Sequence, residues 1–70
     1  MQENKKLRRM RSIDQIYLEI KKADPNSAIT KYFIRNLTKD NSIYTIFSGA
    51  KALLDMDDVF DKLGLVRPEN

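Results

Sequence analysis

Lys31, Arg35 and Lys39 recur every fourth residue in the stretch ITKYFIRNLTKD. On a helix, turning about 100° per residue, this spacing aligns the three cations in one row and sets Phe33, Ile34 and Leu37 in a sector on the opposite side. Tyr32, Asn36 and Thr38 flank the row. Such a row can meet the phosphates or base edges of a nucleic acid; the plainer use of a charged row is a solvated face. A second basic element precedes it. The segment MQENKKLRRMR holds Lys5, Lys6, Arg8, Arg9 and Arg11 against Glu3 alone, so residues 1–11 carry +4, while the remainder sets eight basic against nine acidic side chains, or −1. Blocks of like charge stay solvated, and basic arms often bind nucleic acid.

Other chemistries find little to work with. The chain has no cysteine and no histidine, which excludes disulfides, thiolate chemistry and nearly every zinc site. It also lacks a glycine-rich phosphate loop. The expectation is that the protein is not an enzyme and uses no cofactor. Asp55, Asp57, Asp58 and Asp61 are the only dense acidic group, and their spacing lacks the glycine and final glutamate of a calcium loop. Helix capping and solvation account for them. Tyr44 and Phe47 could stack on bases, but strand aromatics in a small domain more often fill the core.

Seventy residues make one domain of marginal stability, because a short chain buries a small fraction of its surface. No apolar run approaches the roughly 18 residues that span a bilayer, and the polar start lacks the apolar block of a signal peptide. A soluble, cytoplasmic protein with no membrane partner is expected.

The elements follow from local signals. Ser12 with Gln15 three residues later makes a capping box, and Ile13, Ile16, Tyr17 and Ile20 follow at helical spacing. Asp24-Pro25-Asn26-Ser27 reads as a turn. A second helix starts at Thr30, with Ser27 as a rival cap, and stops near Asp40 and Asn41, where turn formers take over. SIYTIF and KALLDM, joined through Gly49, read as a short β-hairpin. DMDDVFDKLG reads as a closing helix capped by Asp55 or Asp57 and stopped at Gly64, with Leu65 folding back over its last turn. The fold class is therefore mainly α with a small hairpin, in the order helix, helix, hairpin, helix. Residues 1–11 form a flexible basic arm, 12–65 the domain and 66–70 a flexible tail.

Two short helices joined by a turn, the second dry on one side and basic on the other, match a unit that lays its second helix in the major groove of DNA, with a following hairpin as a wing. Lys31 and Arg35 are best placed for bases or phosphates there. Arg35 can grip a guanine with two hydrogen bonds, and Thr30 can meet a phosphate.

The segment from Arg11 to Leu63, about three quarters of the chain, resembles the excisionase and MerR-like winged-helix DNA-binding family of phages and mobile elements. The resemblance lies in ITKYFIRNL for the recognition helix and in IYTIFSGAKALLDMDDV for the wing and closing helix. Gly49 and Lys51 match the wing-tip glycine and a basic wing residue, and Leu53, Leu54, Met56 and Val59 match apolar positions of the second strand and closing helix. It implies a winged helix-turn-helix that binds duplex DNA sequence-specifically, as a recombination directionality factor or a small transcriptional regulator, and that bends its site. Thr30, Lys31, Arg35 and Lys51 are the contacts carried over, joined by Lys39 from the basic row and by Arg8, Arg9 and Arg11 from the arm. A site-specific recombinase is a candidate partner. A module this small covers only about 600–1,000 Å² of DNA, so dimers or cooperative side-by-side binding are expected. The rival reading keeps the fold and makes it a protein-interaction module that docks on a recombinase, polymerase or host factor without touching DNA.

Overall fold

Residues 10–12 are tied into a sheet that their sequence does not announce. In a computed structural model describing residues 7–68, β1 (Met10–Ser12) leads directly into α1 (Ile13–Ala23). Next come α2 (Lys31–Asn36), a 3₁₀ turn (Leu37–Lys39), β2 (Thr45–Ser48), β3 (Lys51–Asp55) and α3 (Met56–Leu63). Three helices thus pack with a three-stranded antiparallel sheet ordered β1-β3-β2.

Local chemistry explains most of the boundaries. Ser12 accepts the Gln15 amide while the Gln15 side chain accepts the Ser12 amide, so both halves of the capping box form. Asp14 in the first turn and Lys21 and Lys22 in the last complement the helix dipole. Asp24 ends α1 by accepting the Asn26 amide on its side chain and the Ser27 amide on its carbonyl. Between the two candidate starts of α2, Thr30 is the cap: its hydroxyl oxygen accepts the Phe33 amide at 3.1 Å. Ser27 instead takes the Ile29 amide in the linker. Asp40 closes the 3₁₀ turn and accepts both the amide and the hydroxyl of Ser42.

The hairpin pairs Thr45 with Leu54, Ile46 with Leu53, Phe47 with Ala52 and Ser48 with Lys51. Gly49 has φ 62° and Ala50 a negative φ, so only the first loop position is left-handed, the φ pattern of a type II′ turn, which matches the twist of the strands. Asp55 ends β3 and caps α3 by accepting the amides of Asp57 and Asp58. Gly64, with φ 74°, stops that helix, and the Leu65 amide reaches back to the Phe60 carbonyl. The core gathers Ile13, Ile16 and Ile20 of α1, Ile34, Leu37 and Ile43, Ala52 and Leu54 of β3, and Met56, Val59 and Phe60 of α3. Tyr17, Ile29, Leu63 and Leu65 pack around it.

Four expectations need correcting. Residues 8–11 are not a free arm: residues 10 and 11 are paired to β3, and the Met56 amide donates to the Arg9 carbonyl. Residues 1–6 of the expected arm, with Lys5 and Lys6, and residues 69–70 of the expected tail lie outside the described residues. Arg67, placed in that tail, hydrogen-bonds Asp61 through Nε at 2.9 Å. Phe33, expected inward, is exposed, because a six-residue helix seats only Ile34 in the core before the chain tightens into the 3₁₀ turn. Tyr44 and Phe47, expected in the core, are also exposed: one precedes and the other belongs to β2, an outer strand with a strand on one side only.

Candidate nucleic-acid interface

The cationic row faces outward. Lys31, Arg35 and Lys39 are all exposed, the first two on α2 and the third in the 3₁₀ turn, while Ile34 and Leu37 anchor the segment from below. Arg35 lines a surface cleft together with Ser12, Ile13 and Asp14 from the start of α1 and Ala50, Lys51 and Ala52 from the hairpin. Two cations sixteen positions apart in sequence therefore line one cleft. The hairpin turn and the burial of Ala52 hold Lys51 there; the buried Ile34 holds Arg35. Among the described residues, Arg35, Lys39 and Lys51 have no carboxylate partner.

Lys31 is steered rather than free. Its ammonium lies 3.3 Å from Asp14 and 5.4 Å from the centre of the Tyr17 ring. Lys21 approaches the same ring at 5.7 Å and donates to the Ser27 carbonyl at 2.7 Å, so that one aromatic ring has two cations near it. Asp14 thereby brings a negative charge into a basic cleft. Thr30 is exposed beside Lys31, its hydroxyl oxygen occupied as a cap.

The arginines expected in the arm part company. Arg8 hydrogen-bonds Asp55 at 2.8 Å and Asp58 at 3.3 Å, and its guanidinium lies 4.4 Å from the centre of the Tyr44 ring. The Asp55 bond raises the Arg8 pKa above its ordinary value. Arg9 pairs with Asp57. These two cations, expected as DNA contacts, are matched to the acidic start of α3. Arg11 donates to the Met10 carbonyl and lies beside Gln15, Leu18, Glu19 and Lys22, away from the cleft of Arg35 and Lys51.

The acidic group of α3 is accounted for residue by residue. Asp55 caps the helix, Asp57 and Asp58 hold arginines, Asp58 also accepts the Tyr44 amide, and the Arg67 bond holds the Asp61 carboxyl below its usual range. Among the described residues, no three acidic side chains converge as a metal site, and no helix is long and apolar enough to cross a membrane.

Two further exposed aromatics adjoin the basic row. Tyr32, 72% exposed, and Phe33 lie between Lys31 and Arg35 on α2. Tyr32 was readable as a flank of the row; Asp14 was not, because its approach to Lys31 depends on how α1 and α2 pack. The arrangement as a whole presents to solvent a planar guanidinium, a hydroxyphenyl ring and two ammonium groups that have no carboxylate partner among the described residues. Compared with known proteins, the chain matches no family model, no curated protein and no solved structure.

Proposed function

We propose that this chain is a winged helix-turn-helix protein that binds duplex DNA sequence-specifically, with α2 in the major groove and the hairpin as its wing. The observation that carries the reading is the cleft that Arg35 and Lys51 line from separate elements, neither of them ion-paired among the described residues, with the one carboxylate there, Asp14, paired to Lys31. A six-residue helix is about 9 Å long, short enough to enter a major groove about 12 Å wide end-on. In that pose Arg35 reads a base edge, while Lys51 and Lys39 meet phosphates on either side. Lys31, held by Asp14, reaches the groove wall. By its resemblance the protein serves as an excisionase-like directionality factor or a small transcriptional regulator of a mobile element.

The rival reading, a protein-interaction module, draws support from the Arg8 and Arg9 ion pairs, which withdraw two cations from DNA contact, and from the exposed apolar residues of β2. A gel-shift titration across salt, on duplexes enriched from a random pool, separates the two. On the DNA reading, log affinity falls linearly with log salt. Arg35→Ala costs specific binding about 1–3 kcal/mol and relaxes one position of the site, and Lys51→Ala lowers the salt slope by about 1. Arg8→Ala changes binding less than either. Absence of any shifted duplex at low salt would hand the function to the interaction reading.

A further inference from the structure

Strand β2 forms one outer edge of the sheet; it is short, four residues, but it carries none of the charged, proline or bulge devices that keep edge strands apart. Thr45–Ser48 contains no lysine, proline or other charged residue, and its register with β3 runs without a bulge. The unpaired N–H and C=O groups of such an edge are a template for another strand. The register also determines which backbone groups are free. The Asp55 amide donates to the Tyr44 carbonyl at 2.9 Å, and the two-residue loop closes between Ser48 and Lys51. Hydrogen-bonded pairs alternate along an antiparallel ladder, so Ile46 and Ser48 direct their N–H and C=O toward β3, while Thr45 and Phe47 direct theirs outward.

We infer that this edge joins a second copy of the chain, antiparallel, about a two-fold axis through Ile46. The occupant follows from self-complementarity. Rotation about Ile46 brings Thr45 of one copy opposite Phe47 of the other, so every outward N–H along the seam meets an outward C=O. Ile46 meets its own copy, and Tyr44 meets Ser48. None of these residues is charged, so two chains of net charge +3 place no like charges opposite one another along the seam. Ile46, 41% exposed, and Tyr44 lie on the same outward face of the sheet as Leu53, and Phe47, 66% exposed, lies on the other face. Pairing covers both faces and yields a continuous six-stranded sheet ordered β1-β3-β2-β2-β3-β1. This seam is far smaller than the roughly 1,000 Å² of a stable interface, so the pair is weak in dilute solution. It tightens when two copies are held side by side, as on neighbouring sites of one duplex, where the effective concentration reaches about millimolar. The pairing itself needs no nucleic acid.

The test exploits the absence of cysteine in the chain. In Ile46→Cys the only thiol sits on the axis, in a pair whose Cα atoms lie about 4.5 Å apart, within the range a disulfide bridges. In Leu18→Cys an exposed thiol on α1 reports random collision. In a glutathione redox buffer at millimolar protein, Ile46→Cys should accumulate covalent dimer at least about tenfold faster than Leu18→Cys, as expected of an encounter made intramolecular. In the unsubstituted protein, the Thr45 and Phe47 amides should gain protection from hydrogen exchange as concentration rises from micromolar to millimolar. Ile46→Lys, which places two ammonium groups on the axis, should remove that protection while leaving the fold intact. Equal cross-linking rates, or Thr45 and Phe47 amides whose exchange does not change with concentration, would overturn the inference. Protection that appears only when a different protein is added would overturn it too, and would assign the edge to that partner.

Discussion

Replacing Asp55 tests how the two ends of the fold are held together. Its side chain is only 5% exposed. Oδ1 accepts the amides of Asp57 and Asp58 at 2.9 and 3.3 Å, and Oδ2 accepts from Arg8 at 2.8 Å. Asp55→Ala removes a helix cap, worth about 1 kcal/mol, and an ion pair to a half-exposed arginine, worth up to about 1 kcal/mol. The combined loss of about 2 kcal/mol should lower the melting temperature of a domain this small by roughly 8–16 °C. Asp55→Asn keeps an oxygen for the two amides and loses only the charge, so it should retain at least half of the stability that alanine forfeits. Arg8→Ala should match Asp55→Asn. Thermal unfolding followed by circular dichroism, at low and at high salt, separates the contributions. The deficit of the asparagine variant should shrink as salt screens the arginine, while the difference between alanine and asparagine should persist. Equal melting temperatures for the two Asp55 variants would refute the assignment of the cap as the larger contribution.

Asp40 provides a pH signature. The Ser42 amide, then its hydroxyl, then Lys62 lower its pKa from 3.8 to about 2. Because the folded value lies below the unfolded one, the stability linked to Asp40 is fully present above about pH 4 and lost as pH falls through about 2. Urea midpoints measured from pH 5 downward should decline over that window, and less steeply in Asp40→Asn. Gly49→Ala meets no atom within 4 Å but must hold φ near 62°, which costs a residue with a Cβ about 1 kcal/mol. Gly49→Asn should lose a similar amount, because the first position of a type II′ turn is a glycine position. Denaturant midpoints should move by these amounts with unchanged slopes.

What could be read from the sequence was what depends on neighbours in the chain. The capping box of Ser12 and Gln15, the Thr30 and Asp55 caps and the Gly64 stop each involve residues within a few positions, and each forms. Helical spacing likewise placed Ile13, Ile16, Ile20, Val59 and Phe60 in the core. Strand β1 was hidden because Met10-Arg11-Ser12 has no strand character of its own. It is extended because β3 offers it a ladder and because acids more than 45 positions away hold Arg8 and Arg9. For the candidate site, spacing alone set Lys31, Arg35 and Lys39 on one face. That Arg35 shares a cleft with Lys51, and that Asp14 holds Lys31, depends on helix and hairpin packing. The inward reading of Phe33 assumed a longer helix than the six residues that form.

The ladder between β1 and β3 has a consequence for synthesis. A chain emerging from its N-terminus offers Met10–Ser12 with no strand to pair with until Leu53–Asp55 have followed. Contacts this distant in sequence delay folding. The chain through Asp55 must therefore leave the ribosome before the sheet can close, and a product truncated before β3 leaves β1 open to chaperones and proteases.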